Sequence, residues 1–379
     1  MFTYQKTNRY FAQIADGMEE LGKEELASLG AEDISTTFRG LYLTADKVTL
    51  YSINYMTRLC TRILAPLLTF DCHSTKYLYR TAQAIDWPSL FSLEQTFCIS
   101  ANLTNSKIRH SQYASLCLKD AIVDQFRERL GERPNVERIN PDIHINLHIE
   151  DNKATIYLDT SGGSLHRRGY RTDAVEAPMQ ETLAAAIIRL SGWEGQTPLY
   201  DPMFGSGTLL LEALMYYCRI PAGYRRDNFG FKYLPDFDDT LWCKIKRQSD
   251  ADIKKLPKGL IAGSDIDGRA VALSRNNAGN LPGGKSVALI KSDFKDLHGL
   301  ENQTIICNPP YGKRLGADRN MAGLMKDFGD FLKQRCKGST AYVYFGNREL
   351  IKKVGLRTAF KIPLKNGQLD GRLVKYELY

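Results

Sequence analysis

An α/β fold is what this sequence predicts, with a mostly parallel, doubly wound sheet in the C-terminal half and a smaller α+β region ahead of it. Strand-like and helix-like segments alternate from about residue 175 onward, the pattern of a parallel sheet with crossover helices. Four short apolar runs in that half each close on an acid or an asparagine: Asp201, Asp265, Asp293 and Asn308. A glycine turn, Phe204-Gly205-Ser206-Gly207, separates the first of these runs from the apolar helical stretch Leu209 to Met215.

Taken in chain order, Tyr10 to Ile14 reads as a strand, the Glu-rich Met18 to Leu29 as a helix, and Gly40 to Thr44 as a second strand. Residues 1–60 thus form a small α+β subdomain. Residues 61–160 make a second module, in which the basic loop Ser106-Lys107-Ile108-Arg109-His110 precedes a helix around Leu118 to Ile122. It closes on two alternating strands, Asp142 to Ile149 and Ala154 to Asp159, whose His144 and His148 face solvent or a polymer rather than a metal. Lys107 and Arg109 are candidate phosphate contacts, although each alone equally suits a solvated loop.

Residues 161–177 form a basic linker. Its run His166-Arg167-Arg168-Gly169-Tyr170-Arg171 interleaves arginine with one aromatic, a combination suited to phosphate contact and base stacking as well as to a solvated connection. From Pro178, a residue suited to a first helical turn, Met179, Leu183, Ala186, Ile187 and Leu190 recur at helical spacing. Residues 178–379 are the main α/β domain.

The glycine turn lets backbone pass close to a ligand, and the helix after it points N–H groups the same way. The Walker ending Gly-Lys-Ser/Thr is absent, and Leu210 stands where a dinucleotide fingerprint needs its third glycine. Nucleotide-phosphate binding is therefore disfavoured. Asp265 ends the next apolar strand, in register to accept from both hydroxyls of a ribose, whereas Asp267 suits a helix N-cap. The long interval between Gly207 and Asp265 implies an insertion, and residues 218–257 with Trp242, Pro221, Pro235 and Pro257 fit it.

After the third strand, Asp293 is placed to accept from an adenine amine with Phe294 beside the ring, or simply to start a turn. After the fourth comes Asn308-Pro309-Pro310-Tyr311. Two prolines stiffen the backbone and remove two N–H donors, leaving carbonyls free to accept. The Asn308 side-chain oxygen and the Pro309 carbonyl suit one planar NH2, and Tyr311 offers a face for stacking a base. The chain ends in Thr358 to Leu364, Asn366-Gly367 and Gly371 to Leu378, a hairpin signal.

The Asn-Pro-Pro-Tyr tetrapeptide is that of amino-methyltransferases, and the C-terminal region resembles Rossmann-like class I S-adenosylmethionine-dependent methyltransferases with a seven-stranded sheet. Asp201 to Thr208, Gly263 to Asp267, Asn308 to Gly312, Leu165 to Arg171 and Ala177 to Ala184 carry the likeness further. On these the whole chain resembles the bacterial 23S rRNA guanine-N2 methyltransferase family, whose N-terminal part is a ferredoxin-like and THUMP RNA-binding region. Members are often labelled N6-adenine-specific DNA methylases because of the shared tetrapeptide.

The resemblance implies S-adenosylmethionine as cofactor, held by Asp201, Phe204, Gly205, Ser206, Gly207, Asp265, Ile266, Asp293, Phe294 and Asn308, with Gln180 and Thr182 bordering it. It implies catalysis at Asn308, Pro309, Pro310 and Tyr311. RNA contacts then fall to Lys107, Arg109, Arg167, Arg168 and Arg171, and the partner is 23S rRNA or an assembly intermediate. Adenine-N6 methylation of DNA or RNA, glutamine-N5 methylation of a protein, and RNA binding without catalysis on a decayed methyltransferase fold remain as alternatives.

Composition agrees. No apolar run approaches the length of a membrane span and the N-terminus lacks an apolar signal core, so a cytoplasmic protein, favoured as a monomer, is expected. Eight cysteines form no Cys-x-x-Cys pair, and neither a metal site nor a disulfide framework is expected. The net charge of +8 is uneven: residues 1–160 carry 17 basic and 20 acidic side chains and the remainder 34 and 23. The half expected to bind RNA is thus not basic overall, and contact there requires a local patch.

Overall fold

The computed structural model describes residues 1–171, 179–310, 321–367 and 369–379. The first elements are α1 (Thr3–Thr7), β1 (Arg9–Gln13), α2 (Glu19–Ser28), β2 (Glu32–Thr37), β3 (Gly40–Thr44) and α3 (Lys47–Met56). They continue with β4 (Arg62–Asp71), α4 (Thr75–Ala82), β5 (Phe97–Thr104), α5 (Ser111–Leu130), β6 (Ile143–Glu150) and β7 (Lys153–Asp159). Then come α6 (Glu181–Ser191), β8 (Leu199–Asp201), α7 (Thr208–Tyr217), α8 (Asp239–Ala251), β9 (Ile261–Asp265) and α9 (Gly268–Gly279). The last are β10 (Ala288–Lys291), β11 (Thr304–Cys307), α10 (Met321–Arg335), β12 (Thr340–Phe345), β13 (Phe360–Asn366) and β14 (Leu369–Glu377). The chain divides into two compact units, one comprising Met1–Ile14, Gly22–Leu165 and Arg226–Lys246, the other Ala15–Leu21, His166–Arg225 and Arg247–Tyr379.

In the first unit the two expected N-terminal modules share one seven-stranded sheet, ordered β2-β3-β1-β4-β7-β6-β5. Strand β4 makes them continuous: Arg62 to Leu64 pair with β1, and Leu64 to Asp71 pair with β7 on the other edge. Asp151 and Asn152 both take positive φ in the tight turn between β6 and β7, a conformation these two residue types tolerate. Helix α3, capped by the Asp46 carboxylate on the Thr49 N–H at 2.8 Å, and strand β2 have no counterpart in the sequence reading.

Part of the stretch read as an insertion belongs to this first unit. Phe231 lies stacked on Tyr51 with ring centroids 4.6 Å apart, and Trp242 meets Tyr55 edge-on at 5.3 Å. The Arg226 guanidinium donates to the carbonyls of Ser161 (2.8 Å), Ser164 (3.1 Å) and Gly162 (3.3 Å). Gly230 comes so close that a Cβ there would lie 1.8 Å from the Asp159 carbonyl oxygen, which excludes any other residue without backbone movement. Segment 226–246 is therefore built into the core of the N-terminal unit.

The second unit is organised around a sheet ordered β10-β9-β8-β11-β12-β14-β13. The five strands from β10 to β12 run parallel, and the terminal hairpin β13–β14 adds antiparallel to β12, as the Asn366-Gly367 signal implies. Helix α10 buries Met325, Phe328 and Leu332 in one cluster with Ile305, Val343 and Val374 of the sheet. Among the described residues, no helix is long and apolar enough to cross a membrane and no cluster of metal-ligating side chains occurs.

Candidate active site at the carboxyl ends of the parallel strands

Parallel pairing of β10, β9, β8 and β11 turns four strand ends toward one edge of the sheet. Asp201 and Asp265 are the last residues of β8 and β9, Asn308 follows β11 directly, and Asp293 lies two residues past β10. Lys291 is in register with Asp265, and Asp201 with Gly263. Adjacent carboxyl ends of this kind are where open α/β sheets bind ligands.

The glycine turn is fixed at this edge by backbone. The Phe204 N–H donates to the Ser264 carbonyl (3.3 Å), the Gly205 N–H to Asp265 Oδ2 (2.8 Å), and the Ser274 hydroxyl to the Gly205 carbonyl (2.8 Å). Gly205 and Gly207 have φ of +56° and +75°, values that side-chain-bearing residues rarely adopt. No atom lies within 4 Å of where a Gly205 Cβ would stand, so backbone there faces open space. Helix α7 begins one residue later with Gly207 as its N-cap, and the Ser206 and Thr208 hydroxyls meet at 3.0 Å.

The acids differ in role. Asp201 is fully buried, accepts from the Met203 N–H at 3.0 Å, and meets the Cys307 thiol. Burial pushes its pKa up to about 8, a shift the Met203 N–H opposes. At 1% exposure, Asp201 secures the start of the turn through the Met203 N–H. Asp265 is half-buried; burial raises its pKa, against the N–H groups of Asp267 and Gly205. Beside it Ile266 leaves 65% of its surface exposed, an apolar side chain free to lie against a flat ring. Asp267 caps α9 through the Arg269 N–H at 2.9 Å, as its position implies.

Other residues shift from expectation. Asp293 Oδ1 accepts from the Lys295 N–H (3.0 Å), so it forms the turn while its other oxygen stays available. Phe294 is buried at 4% exposure, with its ring edge-on to Phe328 and Phe331 at 5.6 Å. Its ring is part of the core around α10. The Phe204 ring is likewise buried, and only its backbone reaches the turn. Gln180 is exposed as the N-cap of α6, whereas Thr182 is buried inside that helix.

Asn308 is the distinctive group. Its Oδ1 is buried and has no hydrogen-bond partner among the described residues. A buried acceptor left unpaired costs on the order of 1–3 kcal/mol, a cost that a bound donor would remove. Pro309 is buried and Pro310 half-buried directly after it. Tyr311, like Gly312 and Pro178, lies outside the described residues.

The basic segment is mostly internal. Arg168 and Glu212 are both fully buried, with Nε 3.4 Å from Oε1, and the Tyr170 hydroxyl donates to the same oxygen at 3.3 Å. Arg171 reaches the Thr208 hydroxyl (2.9 Å), the Met179 carbonyl (3.3 Å) and the Glu181 carboxylate (3.5 Å). Arg168 and Tyr170 are each 1% exposed, inside the unit rather than on its surface. Arg167 is exposed. Sequence reasoning missed this network, although Glu212, a lone acid in Leu209-Leu210-Leu211-Glu212-Ala213-Leu214-Met215, signals that a buried cation must come from elsewhere.

In the first unit Lys107 and Arg109 are exposed between β5 and α5, with the Lys107 N–H bonded to Asn152 Oδ1 at 2.8 Å. His148 is partly exposed, 3.6 Å from Glu150, and His144 Nδ1 lies 3.2 Å from the Cys98 sulfur.

Comparison with known proteins gives the same architecture. Residues 168–375 match the profile described as "RMKL-like, methyltransferase domain", residues 72–159 the THUMP domain, and residues 9–64 the RlmL ferredoxin-like domain. A Synechocystis protein called "Putative RNA methyltransferase slr0064" is 41% identical over 374 residues, 98% of this chain and 97% of its own. The "Ribosomal RNA large subunit methyltransferase K/L" of Photobacterium profundum is 37% identical over 97% of this chain, which spans 53% of that longer protein. The crystal structure of SMU.472, described as "a putative methyltransferase complexed with SAH", superposes with a TM-score of 0.86 at 28% identity, covering 98% of each chain. With a profile matching more than half of its residues and a relative aligned over almost its full length, the chain belongs to the RMKL-like methyltransferase family, carrying RlmL-type ferredoxin-like and THUMP domains ahead of the methyltransferase domain.

Proposed function

We propose that this chain is an S-adenosylmethionine-dependent RNA methyltransferase that methylates an exocyclic base amine, guanine N2 of 23S rRNA, working in the cytoplasm as a monomer. The buried Oδ1 of Asn308, at a strand end beside the glycine turn and without a partner among the described residues, is the observation that carries the reading. The names of the Synechocystis and Photobacterium relatives, and the SAH in the SMU.472 crystal, support it.

The residues present fit the methyl donor. Asp265 is a carboxylate for the ribose hydroxyls, Ile266 an exposed apolar surface for the adenine, and Asp293 an acceptor for its amine. Open space at Gly205 admits the methionine portion against the backbone of the turn. When bound, the donor supplies an electrophilic methyl group on a sulfonium.

The remaining work is done by the chain. An exocyclic amine is a poor nucleophile while its lone pair is delocalised into the ring. Asn308 Oδ1 accepts one N–H of that amine, favours a more tetrahedral nitrogen, and stabilises the positive charge that develops there. The Pro309 carbonyl accepts the other N–H, and Pro309 and Pro310 hold both acceptors on a stiff backbone. The target base must leave its helix or come from a loop to reach these acceptors.

Mass spectrometry of nucleosides from a strain lacking the gene, against its parent, tests the reading. Loss of N2-methylguanosine from 23S rRNA alone is expected. Loss of N6-methyladenine from DNA, or no nucleoside change in either polymer, would overturn it.

A further inference from the structure

A groove of about 430 Å³ opens at the β5 end of the N-terminal sheet and extends inward to His144 of β6 and Arg62 of β4, remote in sequence from every group assigned above to methyl transfer. Strand β5 is the last in the sheet, and among the described residues only Phe97 finds a partner beyond it, through a bridge to Val136. Helix α5 contributes Gln112, Ser115, Leu116 and Lys119, which lie on one stripe at helical spacing, and the loop before β6 contributes Val136 and Arg138. Cys98, Ser100, His144 and Arg62 complete the wall.

Its chemistry is one-sided. Three cations line the groove and no carboxylate does. Arg62 is paired with Asp159 and Lys119 with Asp120, whereas Arg138 is exposed with no ion pair among the described residues. Leu116 and Val136 leave 42% and 48% of their surfaces exposed, apolar faces with nothing packed on them. Behind Ser100, whose hydroxyl donates to Asn146 Oδ1 at 2.6 Å, the Asn146 Nδ2 is buried without a partner among the described residues. A buried donor of this kind sits beside a wall already rich in hydroxyl, amide and imidazole groups. The volume lies within the roughly 300–1,000 Å³ of small-ligand sites.

We propose that this groove holds one unpaired nucleotide of the RNA substrate, with its phosphate toward Arg138 and Lys119 and its base against Leu116 and Val136. The inference rests on the RNA methyltransferase reading and names a second anchoring point for that RNA. Cations supply the phosphate contacts, the apolar pair takes a base face of any identity, and Ser100, Ser115, Gln112 and His144 meet polar base edges. Arg138 is the cation of this groove that has no acidic partner among the described residues.

The test uses the full chain and a labelled single-stranded oligoribonucleotide of about ten nucleotides, followed by fluorescence anisotropy across a salt series. Arg138→Glu and Leu116→Asp change exposed side chains and leave the fold intact. Each is expected to weaken binding about tenfold, and Arg138→Glu to lower the slope of log affinity against log salt by about one. A 5-bromouridine probe is expected to cross-link within residues 112–119 or 136–138. Unchanged affinity and slope in both variants, with cross-links elsewhere, would overturn the groove. Methylation of rRNA by the unaltered chain, measured alongside, separates the two claims: if it persists while the variants bind normally, the groove alone fails, and if the unaltered chain neither binds nor methylates RNA, both fall.

Discussion

The backbone N–H of Gly205 donates to the carboxylate of Asp265 at 2.8 Å, across 60 residues of sequence. One hydrogen bond thus couples the glycine turn after β8 to the acid at the end of β9. Asp265 holds the turn with Oδ2, while its Oδ1 accepts the Asp267 N–H at 2.9 Å. Asp265→Ala is expected to weaken S-adenosylmethionine binding by about tenfold or more, as loss of a charge-assisted hydrogen bond implies. Asp265→Asn, which keeps an acceptor for Gly205, should fall between. Isothermal titration reads both, and an unchanged Kd in the alanine variant would remove Asp265 from the donor site.

Asn308→Ala should separate binding from turnover. Donor affinity is expected to stay within about twofold of the unaltered chain while the methyl-transfer rate falls about a hundredfold, the usual scale for one lost transition-state hydrogen bond. Single-turnover transfer of a labelled methyl group measures the rate. Full activity in this variant would refute the role of the orphaned oxygen.

Asp201 makes stability depend on pH. Its carboxyl titrates near 8 in the folded chain against a reference value of 3.8, so folding favours the protonated form. The stability it contributes is fully present below pH 3.8 and is lost as pH rises toward 8. Asp201→Asn keeps an acceptor for the Met203 N–H and removes the ionisation. Urea unfolding at pH 5 and pH 8 should show a smaller drop for the variant, and an identical drop in both proteins would count against burial as the cause.

Arg168→Met leaves Glu212 charged and buried, with an expected loss of about 3–5 kcal/mol in unfolding free energy. Arg168→Met combined with Glu212→Leu should recover much of it, because neither charge then remains buried. Denaturant midpoints of the single and double variants test the coupling. A single variant of normal stability with weakened RNA affinity would restore Arg168 to the RNA surface.

How much was legible follows from what each signal depends on. Strand ends closing on Asp201, Asp265 and Asn308 were readable because apolar run, turn and acid are adjacent in sequence, and the Asn366-Gly367 hairpin is local in the same way. Partners distant in sequence were not. The fate of Arg168 is set by Glu212, 44 residues on, and that of Phe294 by two rings of α10. Strand β2 carries Glu32, Asp33, Ser35, Thr36 and Thr37 on a largely exposed edge, so no apolar alternation marks it.

Segment 226–246 has a consequence for how the protein is made. Domains usually fold as the ribosome releases them, in N-to-C order. Here Phe231 and Trp242 complete a core whose other rings, Tyr51 and Tyr55, emerged nearly two hundred residues earlier. The nascent N-terminal half must therefore wait, its aromatic surface uncovered, until α6, β8 and α7 of the methyltransferase domain have been translated. By the same logic no single cut in the polypeptide separates the two compact units, and a cut at residue 165 parts the N-terminal core from two of its rings.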